Sequence, residues 1–240
     1  MSSIYSSILH AKQNGQKLLA VLIDPEKTSV NDVLPLSEKI KSAPVTHIFV
    51  AGSTFHGDHL DKLIQQLKTH TQLPVLLFPG NYAQISTFAD GILFLSLTSG
   101  RNPEYLIAQQ VKAAPILQKA LIQIIPTSYL LIESGAQTAV QRVSQTTPID
   151  RNDSDLAAQT ALAGQYLGHQ LIYLEAGSGA LNPVPAELIQ KVAQTVSIPV
   201  IVGGGIRSLS AIQLAYKAGA DLVVIGTAFE ENPHFFETQS

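Results

Sequence analysis

The 240-residue sequence contains no cysteine and no tryptophan, and it has a single methionine. Without thiols, disulfide frameworks and thiolate metal centres are excluded. Charge is scarce as well. Charged residues make up 14 %, with 18 acidic against 15 basic side chains and a formal net charge of −3. That balance leaves no broad basic face, so nucleic acid is not an expected partner. No apolar run reaches the roughly 18 residues of a membrane span. The first 18 residues lack the basic start and apolar centre of a signal peptide. A cytoplasmic protein is expected, with peripheral membrane contact left open. The seven histidines are assigned to surface and loop positions. Mean hydropathy is nevertheless +0.19. Buried helix faces and a filled interior account for most of it, and an apolar ligand channel or an oligomer interface could take the rest.

What is present is a set of short apolar runs, each ending in small or polar residues. Tyr173-Leu174-Glu175-Ala176-Gly177-Ser178-Gly179 continues the apolar Leu171-Ile172, so a strand ends on one carboxylate and then on residues with almost no side chain. A strand that carries an acid at its C-terminal end is a recurrent way to place a catalytic group. Val202-Gly203-Gly204-Gly205-Ile206-Arg207 and Val224-Ile225-Gly226-Thr227 share the design.

Runs of this kind recur at residues 18–23, 46–50, 74–78, 91–95, 120–125, 171–175, 199–202 and 221–225. Continuous rather than alternating apolarity suits parallel strands covered on both faces. Helical periodicity falls between them, at 4–17, 31–41, 60–70, 102–114, 154–167, 185–196 and 208–218. Only about ten residues separate the third and fourth strands, so the third helix is short or replaced. Residues 129–132 form a further extended piece outside the barrel, 144–153 a surface loop, and 230–239 a last short helix. Eight βα units in one domain spanning 1–240 indicate a TIM (β/α)8 barrel, with an open doubly wound sheet as the alternative topology.

In such a barrel the loops after the seventh and eighth strands commonly hold a phosphate at a helix N-terminus. Gly203, Gly204 and Gly226-Thr227 occupy those positions. Glu175 is the only carboxylate at the end of strand six and suits a substrate hydroxyl. Asp24 ends strand one, and Ser53 or Thr54 ends strand two. One carboxylate and one hydroxyl suit Mg²⁺, which keeps water and completes its shell with substrate phosphates.

These segments together resemble the geranylgeranylglyceryl phosphate synthase family, which includes the bacterial heptaprenylglyceryl phosphate synthases. The matching pieces run from Asp24-Pro25-Glu26-Lys27 through Ala51-Gly52-Ser53, Leu77-Phe78-Pro79-Gly80 and Ile125-Pro126-Thr127 to the Tyr173–Ala180 stretch, Gly203-Gly204-Gly205-Ile206-Arg207 and Gly219-Ala220-Asp221. The resemblance implies transfer of a geranylgeranyl or similar prenyl group from its diphosphate to sn-glycerol 1-phosphate, with Mg²⁺, to give an ether lipid precursor. It implies Asp24 and Ser53 as metal ligands, and Tyr173, Leu174, Glu175, Ala176, Gly177, Ser178, Gly203, Gly204, Gly226 and Thr227 as the glycerol phosphate site. Glu175 and Asp24 would be the catalytic pair, and a homo-oligomer is expected. Leu97-Thr98-Ser99 departs from the family's Leu-Asn-Ser. A phosphosugar isomerase barrel shares the phosphate loops but uses an acid after strand five, where the expected strand end, Ile125-Pro126-Thr127, has none.

Overall fold

The computed structural model describes residues 3–52, 58–232 and 235–236. Eight parallel strands close into a barrel in sequence order: β1 Leu18–Ile23, β2 His47–Val50, β3 Val75–Leu77, β4 Gly91–Leu97, β5 Gln123–Leu131, β6 Leu171–Glu175, β7 Val200–Gly203 and β8 Leu222–Ile225, with β8 paired to β1. Along each strand the side chains alternate between two apolar layers. Leu18 and Ala20 of β1 and Leu171 and Tyr173 of β6 fill the barrel, whereas Leu19, Val21, Ile172 and Leu174 pack under the helices. Both faces are buried, which is why the runs read as continuously apolar.

Helices α1 Ile4–Gln13, α2 Val33–Lys41, α3 Asp58–Thr71, α4 Gln109–Leu117, α5 Ala139–Ser144, α6 Ser154–Tyr166, α7 Ala186–Thr195, α8 Leu209–Ala218 and α9 Thr227–Glu231 surround the barrel. Helix α1 plugs the N-terminal ends of the strands. Its Ile8 and Ala11 join the interior layer, Gln123 Oε1 accepts the Ile4 N–H at 2.7 Å, and Lys12 Nζ meets Asp221 Oδ2 at 2.9 Å. With that end closed, the C-terminal ends of the strands are the open face.

Several expectations need correction. The fifth strand does not stop at Ile125. It runs through Pro126 to Leu131, pairing seven residues with β4 and five with β6, so Tyr129 to Leu131 lie inside the barrel wall and not beside it. Proline removes one ladder donor and reads as a strand end, but its carbonyl still accepts from Gln170 N–H at 2.7 Å. The third helix, by contrast, is replaced as expected: residues 78–90 cross from β3 to β4 as an irregular loop. The segment taken as a terminal helix begins earlier, directly after β8, and residues 237–240 lie outside the described residues. His47 is buried, not superficial, and its burial pushes the imidazole down to about 4. Asp153 caps α6, accepting the Leu156 N–H at 2.9 Å.

The Gly-Ala-Asp piece lies at the closed end. Asp221 accepts the Val200 N–H at 2.9 Å as well as Lys12, with its side chain 8 % exposed. It therefore ties β7, β8 and α1 together. Asp221→Ala leaves a buried donor and a partly buried ammonium without an acceptor, and is expected to lower the unfolding free energy by about 2–3 kcal/mol. Chemical denaturation should show this shift, with the rate per folded molecule preserved because the open face is remote.

Candidate active site

A cavity of about 870 Å³ occupies the open face, within the size range of ligand sites. Asp24, Tyr173, Glu175, Gly177, Ser178, Gly204, Gly226 and Thr227 all line it. Leu174 and Ala176 do not; their side chains pack outward in the helix-facing layer, as the alternation of β6 requires. Gly203 also stands behind the wall. Ser53 falls outside the described residues, but its neighbour Gly52 is on the wall, and Gln84 fixes it by donating from Nε2 to the Gly52 carbonyl at 2.7 Å.

Glu175 is the most constrained of these groups. It is 6 % exposed, and Oε1 accepts the Gly177 N–H at 2.6 Å. Burial pushes its carboxyl up to about 7, against the opposing pull of that amide and of the Tyr173 phenol. The Tyr173 hydroxyl is buried beside the same carboxylate, without a partner at full hydrogen-bond geometry among the described residues. Phe78 stacks on Tyr173 with centroids 5.0 Å apart, and Tyr129 meets it edge-on at 5.5 Å. Tyr129 went unnoticed in the sequence because its strand was ended too early.

The glycines have a different use from the one their type suggested. A Cβ on Gly204, where φ is +81°, would lie 2.3 Å from Glu175 Oε1, and one on Gly203 would lie 2.6 Å from the Tyr173 hydroxyl oxygen. These two residues make room for the carboxylate and phenol of the neighbouring strand. The amides serve the ligand. Ser178, Gly179, Gly204, Gly205, Gly226 and Thr227 have N–H groups with no acceptor among the described residues, and all six residues line the cavity. Free backbone donors grouped from three adjacent loops are an arrangement that suits an anion.

Asp24 stands on the same wall. Its Oδ1 accepts the Glu26 N–H at 3.0 Å, Oδ2 faces Lys27 Nζ at 3.9 Å, and its own N–H donates to Glu230 Oε1 at 3.4 Å. Among the described residues no group of three His, Cys, Asp or Glu side chains could hold a metal ion. A carboxylate with lone pairs to spare, and no set of three ligands around it, fits a hydrated Mg²⁺ shared with substrate phosphates and does not fit an all-protein cage. Glu230 was unforeseen, since it reaches the site only because α9 starts directly after β8. Lys39 anchors that helix, donating to the Phe229 carbonyl and lying 4.1 Å from the centre of the Phe229 ring.

The other end of the cavity is apolar, lined by Phe78, Ile85, Phe94, Leu95, Val140 and Val143. The irregular loop after β3 forms part of this wall, so the missing helix leaves space where a packed layer would stand. Glu133, which follows the true end of β5, points elsewhere. It accepts the Gly135 N–H and does not line the cavity. The acid that an isomerase would need is therefore near the strand end but outside the site.

The PcrB family model matches residues 12–239. The chain belongs to the PcrB family. It is 58 % identical to the geranylgeranylglyceryl phosphate synthase of Flavobacterium johnsoniae, over 99 % of this chain and 98 % of that one. With the synthase of the same name from Thermococcus gammatolerans the identity is 43 %, covering 93 % of this chain and 88 % of the relative. Among solved structures, (S)-3-O-geranylgeranylglyceryl phosphate synthase from Thermoplasma acidophilum, in complex with sn-glycerol-1-phosphate, superposes with a TM-score of 0.91 at 38 % identity, covering 99 % and 95 % of the two chains. These relatives match over more than nine-tenths of this chain, and the solved one shares its barrel.

Two outcomes test the site's construction. Gly204→Ala should displace Glu175 before it touches any ligand, so the rate should fall more than glycerol phosphate affinity, as steady-state kinetics with calorimetry would show. Glu175→Gln should change stability in a pH-dependent way. An unfolded glutamate titrates near 4.5 and the native one near 7. The native state keeps its proton longer, so stability falls as pH rises between those values and stays reduced above them. At pH 8 the glutamine variant should melt higher than wild type, by the equivalent of about 3 kcal/mol, with the gain vanishing near pH 4.

Proposed function

We propose that this chain transfers a geranylgeranyl or similar long prenyl group from its diphosphate to the free primary hydroxyl of sn-glycerol 1-phosphate, forming an ether lipid precursor. The observation that carries the reading is Glu175, a buried carboxyl raised to about 7 between a set of free amides and an apolar recess. The names of the relatives support the same substrates.

The amides of Gly204, Gly205, Gly226 and Thr227 hold the acceptor's phosphate and fix its hydroxyl against Glu175, so attack becomes effectively intramolecular. Glu175 accepts the hydroxyl proton as the new C–O bond forms. The bond from the allylic carbon to the diphosphate breaks, and its electron pair leaves with the diphosphate. Phe78, Tyr129 and Tyr173 present aromatic faces of the kind that favour a carbon gaining positive charge. The apolar recess excludes water, which would otherwise compete as nucleophile. Asp24 and Ser53 are the residues proposed to hold Mg²⁺, which supplies charge neutralisation to the leaving diphosphate.

No helix among the described residues is long and apolar enough to cross a membrane. A cytoplasmic enzyme that meets the membrane surface to collect an apolar donor suits that finding. Exposed Ile107, Val111 and Val143 on adjoining segments support a homo-oligomer.

Labelled sn-glycerol 1-phosphate incubated with prenyl diphosphates of increasing length should yield an extractable ether phosphate; no product with any donor would sink the reading. Glu175→Gln should lower kcat by about 10²- to 10⁴-fold, with acceptor affinity kept, and the wild-type rate should rise with pH through about 7. Asp24→Asn should lose measurable Mg²⁺ binding by calorimetry along with turnover. Retained binding would remove Asp24 from the metal site.

A further inference from the structure

Among the described residues lining the cavity, Asp24, Glu175, Glu230 and Glu231 face two cations, Lys27 and Arg207. Such a wall repels anions unless positive charge stands where each one binds. Arg207 is committed to the loop after β6, where its Nη2 donates to the Ala180 carbonyl at 2.8 Å. Lys27 is placed elsewhere, on the turn after β1. There the N–H groups of Lys27 and Thr28 both donate to the Asp24 carbonyl, at 3.1 and 3.0 Å, and Asp24 Oδ1 takes the Glu26 N–H. This winding fixes the Lys27 backbone at the rim beside the Asp24 carboxylate, and of Glu26 and Lys27 only Lys27 lines the cavity. Its Nζ is 3.9 Å from Asp24 Oδ2, beyond hydrogen-bond length, and the side chain is 59 % exposed. A loose, exposed pair of this type contributes little to stability. Its value lies in the ammonium's three donors, held at the mouth of the site and open to an anion.

We propose that Lys27 holds the diphosphate of the prenyl donor and stabilises it as it leaves. The inference rests on the prenyl diphosphate reading above and names the protein group that meets the leaving group. Lys27 donates N–H hydrogen bonds to diphosphate oxygens, whose charge grows as the carbon–oxygen bond breaks. Charge-assisted contacts of this kind strengthen as the acceptor gains charge. Lys27 also faces Asp24 and Glu230. It opposes cation binding at Asp24, and its removal should not weaken Mg²⁺.

The test uses the full chain as wild type, Lys27→Met and Lys27→Arg, titrated calorimetrically with inorganic pyrophosphate in the presence of Mg²⁺, with sn-glycerol 1-phosphate, and with Mg²⁺ alone. The methionine variant is expected to bind pyrophosphate about tenfold more weakly or worse. Arginine should recover most of the loss, glycerol phosphate affinity should be unchanged, and Mg²⁺ affinity should be equal or higher. In turnover, the KM for prenyl diphosphate should rise. Unchanged pyrophosphate affinity in the methionine variant would overturn the role of Lys27 alone. A parallel loss of glycerol phosphate binding would overturn it in favour of a structural role. If wild type itself fails to bind pyrophosphate, the diphosphate reading falls and Lys27 falls with it.

Discussion

A carboxylate taken out of water loses its hydration, and unless something replaces it the group holds its proton to higher pH. At the end of β6 the replacement is deliberate but partial: Glu175 keeps one amide, from Gly177, and a phenol close by. Much of the surrounding geometry follows from that choice. Gly203 and Gly204 lack side chains because the next strand must leave room for the carboxylate and for Tyr173. Gly177 takes a φ of +96° because its N–H turns back onto Glu175, and Thr138 occupies the space where a Cβ would lie. A fully solvated or fully paired acid would be more stable and a weaker base.

The same constraint divides the cavity. With β6 and β7 packed around one carboxyl, the remaining amides of three loops point into the cavity and form one polar end. The opposite end is apolar because the chain omits the helix between β3 and β4 and crosses with a loop. A βα unit that kept its helix would bring a packed layer to the place where Phe78 and Ile85 now face open space. The barrel thus gains an apolar recess by losing an element, while the closure of β1 to β8 is untouched.

Much of this was readable from residue order alone, and the failures have physical causes. Seven of the eight strands were placed within a few residues because a strand buried on both faces leaves an unbroken apolar run. The exception, β5, contains Pro126, and a proline inside a run carries the same signal as a strand end. That single misreading hid Tyr129 and led to the view that no acid follows the strand, although Glu133 does. The Gly-rich turns do line the cavity, but two of the glycines serve a neighbour and not the ligand. Sequence shows that a side chain is missing, not which neighbour would collide with it. Glu230 left no signal, since its place depends on where α9 starts and not on any local pattern. Ser53 lies outside the described residues, so its geometry adds nothing to the sequence reading.

Helix α9 joins the two halves of the chemistry more closely than any motif suggested. It begins at Gly226 and Thr227, whose amides belong to the polar end, and within one turn reaches Glu230, which takes the Asp24 N–H. Lys39 of α2 clamps it from outside. On the proposed reading, a phosphate at its start and a cation near Asp24 would both be attached to the same short piece. The electrostatics run in one direction as well. A phosphate anion brought near Glu175 would raise the proton affinity of a carboxyl already desolvated, so on the proposed reading the base gains strength when the acceptor is in place. Before that, at neutral pH, Glu175 is only partly ionised, which limits the cost of a buried charge in the empty site. On the proposed reading, the penalty of burying the acid and the demand of the reaction for a base would be met by the same arrangement of β6, β7 and their glycines.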